Sequence, residues 1–233
     1  MKKPIKKQMK KYLALSLIEM LITIAIISTV MLLCGVILNT LIRVSSISEA
    51  RTSARQESEF LLEYLKKSIR NSETTEIFLY APTGRAYDAK NDQVVDVGGV
   101  TGYDTALTTG VAGTEIHFRP IGYKSWVCLG VFKDKDNPNL GYIVKTTASD
   151  LTSAADCFDN TRPDYKLNTF VLNSTDIDVD QLNMTYNPTF GANYIITIDL
   201  TMEPIHWVND NAEGLKPTYF KQAIISTQRL SWE

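Results

Sequence analysis

The pattern of apolar and polar positions marks an unusually apolar segment near the start of the chain. From Met20 to Ile42 there are 23 residues without a charge, and nearly all of them are apolar. At about 1.5 Å of rise per residue, a helix of this length crosses a hydrocarbon layer of about 30 Å. The segment is also longer than the apolar core of an ordinary secretory signal peptide. The pattern therefore predicts a membrane-spanning helix.

The helical pattern continues beyond this segment to about Arg70. Neither Gly nor Pro interrupts residues 43–70, and a polar gap at Ser58 is the one break in an apolar stripe. The stripe consists of Val44, Ile47, Ala50, Ala54, Leu61, Leu65 and Ile69. A helix from Leu15 to Arg70 would have about 56 residues and would be apolar nearly all round in its first half. The single stripe of the second half predicts that this part covers a β-sheet.

The remainder of the chain has the pattern of β structure, since its apolar runs are rich in Val, Ile, Thr, Tyr and Phe and several alternate. The predicted strands are Glu76–Tyr80, Gly113–Phe118, Ser125–Phe132, Gly141–Thr147, Thr169–Leu172, Ile177–Tyr186, Tyr194–Glu203 and Tyr219–Leu230. Predicted loops, rich in Gly, Asp, Asn, Pro and Thr, are residues 84–112, 133–140, 148–168 and 204–218. One long helix followed by many strands predicts an α+β fold, with an antiparallel β-sheet head packed on the helix.

Charge is distributed unevenly along the chain. Residues 1–14 hold six Lys and no acid, whereas the remaining residues include 18 basic and 26 acidic side chains. Because basic flanks favour the cytoplasmic side of a membrane, the segment from Arg43 onward is expected to lie on the other side. Four segments follow: a basic leader (1–14), a transmembrane helix (15–42), its amphipathic continuation (43–72) and a β-rich globular head (73–233).

Glu19 lies at the edge of the apolar segment, where a carboxylate is costly. It is either an interfacial side chain that reaches water or the partner of a designated cation. Its surroundings consist of a Lys-rich leader, the run Ala14-Leu15-Ser16-Leu17-Ile18-Glu19 and a long apolar helix. This combination resembles the N-terminal motif of type IV pilin-like proteins, and it covers about the first 30 residues.

The resemblance implies that a prepilin peptidase cuts between Ala14 and Leu15 and methylates the new amine of Leu15. Glu19 would then be the fifth residue of the mature chain and would meet the N-terminal amine of a neighbouring subunit during assembly. The physics agrees, because pairing offsets much of the cost of a charge among apolar helices. The sequence departs from the usual family pattern in having Ala14 rather than Gly before the cut and Leu15 rather than Phe or Met after it.

The size of the head and its predicted last strand resemble those of J-type minor pilins and pseudopilins. The chain is therefore expected to be a minor structural subunit of a type IV pilus, a competence pilus or a type II secretion pseudopilus. It would reside in the bacterial inner membrane and then in a periplasmic or extracellular filament. Its implied partners are other pilin or pseudopilin subunits, the prepilin peptidase, the inner membrane, and the assembly platform and ATPase of the machine.

Two alternatives stay open from the residues alone. One is an uncleaved bitopic membrane protein whose head binds a ligand or a surface. The other is a DNA-binding minor pilin of a competence system, with basic and aromatic residues as its DNA contacts. Those candidates are Arg119, Lys124, Trp126, Trp207 and Lys216. The acidic body works against attraction of DNA to the head as a whole.

Catalytic motifs are missing from the sequence. There is no G-x-S-x-G, H-E-x-x-H or G-x-x-x-x-G-K-[ST], so no enzyme activity and no cofactor is expected. The two His residues, His117 and His206, are expected to be packing or hydrogen-bonded residues rather than catalysts. The acidic runs Asp134–Asn139 and Asp176–Asp180 lack the Gly and the Glu of an EF-hand at the required positions, so no metal is expected either.

The chain has three Cys residues, Cys34, Cys128 and Cys157. Outside the cytoplasm, Cys128 and Cys157 can pair, and an unstrained bridge would contribute about 3–4 kcal/mol in the loop-entropy account. Two unpaired thiols are the alternative. Cys34 lies in the apolar helix and is expected to pair with neither.

Overall fold

The computed structural model describes residues 16–149, 151–188, 194–205 and 216–227, with the backbone alone for residues 73–75 and 188. The chain divides into two compact units, Met1–Ser46 and Ile47–Glu233. Helix α1, Leu17–Arg70, contributes residues to both units.

In the first unit, the surface of α1 is apolar and open. Every residue from Leu17 to Ser45 is exposed. The hydroxyl groups in this stretch donate to carbonyl oxygens one turn earlier in the helix: Thr23 to Met20, Ser28 to Ile24, Thr29 to Ala25 and Thr40 to Val36. Because these donors are satisfied within the helix, they do not require water. By length and composition the helix can cross a membrane.

In the second unit, the described residues after α1 form ten strands. They are β1 (Ser72–Tyr80), β2 (Thr83–Asp88), β3 (Gln93–Thr101), β4 (Glu115–Pro120), β5 (Trp126–Lys133), β6 (Gly141–Ala148), β7 (Thr169–Val171), β8 (Ile177–Pro188), β9 (Tyr194–Pro204) and β10 (Tyr219–Thr227). A 3₁₀ turn, Ala154–Phe158, and a short helix α2, Tyr165–Asn168, lie between β6 and β7. The strands pair antiparallel into a five-stranded sheet (β1-β4-β5-β6-β7), a three-stranded sheet (β10-β9-β8) and the hairpin β2-β3. The predicted α+β class is confirmed.

The second part of α1 shares one apolar core with the two larger sheets. Four helix residues are fully buried there: Ala54, Leu61, Leu65 and Ile69. They belong to the stripe that the sequence predicts. Ser58, the polar gap in that stripe, is buried as well, and its hydroxyl donates to the carbonyl oxygen of Arg55 at 2.8 Å. Val44, the first residue of the predicted stripe, is exposed, so the buried face begins later than predicted.

The prediction of a loop at residues 84–112 is wrong, because β2 and β3 pair there as a hairpin. Tyr87 and Val94 from the hairpin pack against Phe132 and Tyr142 in a second core. Side chains alternate between the faces of a strand, so this core lies on the opposite face of the five-stranded sheet from α1. In β3 only Val94 is fully buried. Because a strand with so few buried positions needs few apolar residues, its sequence resembles that of a loop.

The two larger sheets meet at Gly141, the first residue of β6. A Cβ atom there would lie 2.0 Å from the carbonyl oxygen of Val179 on β8, so a residue with a side chain would force the sheets apart. The backbone N–H of Gly141 donates to Oδ1 of Asp178 at 2.6 Å. Asp178 is itself buried, and this burial raises the pKa of its carboxyl group above the usual range.

We expect Asp178→Asn to stabilise the protein at neutral pH and to lose that effect in acid. The raised pKa means that the folded chain binds a proton at Asp178 at a higher pH than the unfolded chain does. Stability from this group therefore falls as the pH rises from the usual carboxyl range through the raised pKa. Asn retains an oxygen that can accept the N–H of Gly141 and carries no charge.

Urea unfolding of the full chain in detergent, between about pH 4 and about pH 7, measures this difference in free energy. The matched control is Asp104→Asn, because Asp104 is an exposed carboxylate of the head that is not among the groups acting on the pKa of Asp178. A gain in stability that does not change with pH would contradict the assignment of the effect to ionised Asp178.

Candidate functional site

The start of α1 holds Ser16 and Glu19 in a reciprocal arrangement. The backbone N–H of Ser16 donates to Oε2 of Glu19 at 2.8 Å, and the backbone N–H of Glu19 donates to Oγ of Ser16 at 3.3 Å. This is a capping box, which satisfies backbone N–H groups that a helix leaves unpaired at its first turn. The run Ser16-Leu17-Ile18-Glu19 has the S-x-x-E spacing of such a box, and that signal could have revealed the local role of Glu19.

The capping box fixes the position of a negative charge at the first turn of α1, where the helix dipole favours it. Both Ser16 and Glu19 are exposed. Within the described residues, Oε1 of Glu19 accepts no hydrogen bond, so this oxygen is available to a donor from another molecule. The predicted cleavage position, Ala14 and Leu15, lies outside the described residues.

Cys128 and Cys157 are joined by a disulfide, with their Cα atoms 6.3 Å apart. Cys128 lies on β5 and Cys157 in the 3₁₀ turn, and both are fully buried in the second core. The sequence leaves open a disulfide or two unpaired thiols, and the structure has the disulfide. Cys34 is exposed on α1 and is a free thiol.

A chain of buried and half-buried polar side chains ends beside the disulfide. The Nη1 atom of Arg85 donates to the hydroxyl of Tyr103 at 3.0 Å, and that hydroxyl donates to Oε2 of Glu115 at 2.7 Å. Oε1 of Glu115 lies 2.5 Å from Nε2 of His117. Burial, with the charge of Glu115, raises the pKa of Tyr103, so the phenol remains a donor at neutral pH. The alternation of Glu115 and His117 along one strand is the sequence signal for this pair.

The acidic runs do not converge on a shared point. Asp134 accepts the backbone N–H groups of Asp136 and Asn137, both at 2.8 Å, and so caps its own turn. Asp178 is buried at the junction of the sheets. Among the described residues, one group of three His, Cys or carboxylate ligand atoms is close enough to hold a metal ion, and it consists of His117, Cys128 and Cys157.

The residues considered as DNA contacts do not form a free basic surface in the described part of the chain. Arg119 and Lys216 each form an ion pair with a glutamate of the head. Trp126 is half-buried, and Lys124 is exposed. Trp207, like His206, lies outside the described residues.

No protein-family model, curated protein or solved structure matches the chain. Its role is therefore inferred from its own residues and their geometry. The features available for that inference are the capped start of α1 with Glu19, the exposed apolar surface of residues 17–45, and a disulfide-linked β-rich head.

Proposed function

We propose that the chain is a structural subunit, of the minor pilin or pseudopilin class, of a type IV pilus, a competence pilus or a type II secretion pseudopilus. The observation that carries this proposal is an apolar helix surface, exposed on all sides from Leu17 to Ser45, whose first turn is capped by a carboxylate. Such a surface needs an apolar environment on every side. Lipid supplies that environment to the single subunit, and the helices of other subunits supply it in a filament.

Glu19 makes this transfer selective. A carboxylate among apolar helices costs several kcal/mol unless a cation pairs with it. Cleavage after Ala14 creates a new amine on Leu15, and the amine of a neighbouring subunit can supply that pair. The capping contact uses Oε2 of Glu19 and leaves Oε1 for the amine, so one carboxylate can serve both purposes.

The head makes the contacts that distinguish one subunit from another. Its fold is held by the large core behind α1 and by the second core with the disulfide. The chain performs no chemistry of its own in this proposal. The prepilin peptidase processes it, and the assembly platform and ATPase of the machine move it from the inner membrane into the filament.

We expect the protein extracted from membranes to begin at Leu15 and to carry one additional methyl group. Intact mass and N-terminal sequencing, in cells with and without a prepilin peptidase, measure both features. Ala14→Phe is expected to block the cut, because the family's site accepts a small residue before it, and Ala14→Gly is the matched control. A start at Met1 in both strains contradicts the proposal and leaves an uncleaved, membrane-anchored protein whose head binds a partner.

A further inference from the structure

The disulfide and His117 form one buried cluster. A ring nitrogen of His117 and the Sγ atoms of Cys128 and Cys157 lie within 4.8 Å of one another. His117 is 2% exposed, and both cysteines are fully buried. His117 and Cys128 are direct partners in the β4–β5 ladder, so the register of the sheet places them side by side. The 3₁₀ turn brings in Cys157 from across the second core.

Glu115 holds the imidazole of His117 in place. Its Oε1 lies 2.5 Å from Nε2 of His117, while its Oε2 accepts the hydroxyl of Tyr103 at 2.7 Å. A carboxylate on one ring nitrogen is the arrangement that orients metal-binding His residues. Here that other nitrogen is Nδ1, which is left for a ligand.

A cavity of about 160 Å³ reaches His117, one member of the cluster. It is lined by His117 together with Phe78, Tyr80, Trp126 and residues 151–154. Since a water molecule occupies about 30 Å³, the cavity can hold several waters next to the imidazole. Solvent and a metal ion therefore have a route to His117.

We propose that, when the two cysteines are reduced, His117, Cys128 and Cys157 form a binding site for a thiophilic divalent metal ion, preferentially Zn²⁺. Two thiolates and one imidazole supply three of the four ligands of a tetrahedral zinc site, and water from the cavity supplies the fourth. Thiolate ligands select Zn²⁺ over Ca²⁺ or Mg²⁺. Two thiolates also neutralise the charge of the ion, which reduces the penalty of burial.

The metal and the disulfide exclude each other, because the same two sulfur atoms serve both. Newly made chains carry thiols, so a metal can bind before oxidation, and each thiol then loses one proton as its metal–sulfur bond forms. In a chain already oxidised, a phosphine reductant breaks the S–S bond. The phosphorus is oxidised to a phosphine oxide with oxygen from water, and the two protons of that water go to the sulfurs. The site is thus open in the dithiol state and closed in the disulfide state, whatever the role of the chain in a filament.

The test uses the full chain in detergent with Cys34→Ser, which removes the remaining thiol. After phosphine reduction without oxygen, we expect one Co²⁺ per chain, strong sulfur-to-cobalt charge-transfer absorption, and displacement of Co²⁺ by Zn²⁺. The oxidised protein should bind no Co²⁺ and should show no charge-transfer absorption. Glu115→Gln should weaken Zn²⁺ binding about 10–100-fold, as expected for the residue that orients a ligand. Glu63→Gln, an exposed helix position, is its matched control.

An unchanged spectrum in excess Co²⁺, or equal binding by the Cys128→Ser/Cys157→Ser variant, would overturn the proposal. If reduction unfolds the head, circular dichroism will detect the loss of structure. Refolding on addition of Zn²⁺ would then support the site, whereas a chain that stays unfolded with Zn²⁺ would rule it out. Saturating Zn²⁺ should also slow disulfide formation by oxidised glutathione by at least about tenfold, as followed by mass, since metal-bound thiolates are shielded nucleophiles. Equal rates with and without Zn²⁺ would count against the proposal.

Discussion

Replacing Glu19 with Ala is expected to abolish incorporation of the subunit into filaments and to leave its insertion into the membrane unchanged. The substitution removes the carboxylate that pairs with the amine of a neighbour, and it leaves the apolar surface of the helix intact. Loss of a partner from a poorly solvated ion pair costs about 3–5 kcal/mol, and 3 kcal/mol corresponds to a decrease of about 100-fold in incorporation. Insertion should be equal or slightly better, because a charge has left the edge of the apolar segment.

The capping box requires two further variants, because Glu19→Ala also removes the acceptor of the Ser16 N–H. Glu19→Gln keeps an acceptor oxygen and loses the charge, whereas Ser16→Ala keeps the charge and loses the other half of the box, at about 1 kcal/mol. If the charge drives assembly, Glu19→Gln fails and Ser16→Ala retains most incorporation. If capping drives assembly instead, Glu19→Gln retains most incorporation and Ser16→Ala fails.

Immunoblots of sheared filaments, normalised to the membrane fraction of the same cells, measure incorporation and insertion together. A Glu19→Ala variant that assembles at the wild-type level would remove the assembly role from this residue. The chain would then be read as an ordinary anchored protein, with Glu19 as a helix cap.

The helix and its buried face could be predicted from the sequence because both depend on local periodicity. Residues 43–70 contain no helix breaker, and the stripe Ala54–Ile69 has the spacing of one helix face. The β-rich head can be predicted as well, since Ile177–Pro188 and Tyr194–Pro204 are long, and the second is rich in β-branched residues. Patterns of this length identify the type of element even where the first and last residues of the element are not defined.

The hairpin β2–β3 and the buried polar contacts could not be predicted in the same way. The hairpin carries few fully buried side chains, so its composition is that of a loop. Glu115 and Tyr103 are 12 positions apart, and Asn173, which lies between β7 and β8, bonds to backbone groups of β6. Such contacts follow from the pairing of strands in space, which a single sequence does not reveal. The capping box differs, because its S-x-x-E spacing is a local signal that the sequence itself contains.

Asn173 is the polar residue whose loss should destabilise the head most. Its side chain is buried between β6 and β8. Oδ1 accepts the backbone N–H of Ile143 at 2.8 Å, and Nδ2 donates to the carbonyl oxygens of Ile177 at 2.9 Å and Gly141 at 3.2 Å. Asn173→Ala leaves these three backbone groups without this partner, at about 1–3 kcal/mol each. With partial relief by water, we expect a loss of about 4–6 kcal/mol, which is comparable to the whole stability of a small domain.

Urea unfolding of the full chain in detergent measures this loss, with Asn187→Ala as the control. Asn187 is exposed on β8, and its replacement should change the free energy of unfolding by less than about 0.5 kcal/mol. Equal stability of the two variants would mean that the hydrogen bonds of Asn173 make no measurable contribution to the stability of the head. In cells, Asn173→Ala should lower the amount of subunit in the membrane and in filaments together, because an unfolded head is degraded before assembly. Glu19→Ala should lower only the filament fraction, so the two variants separate folding of the head from assembly through the helix.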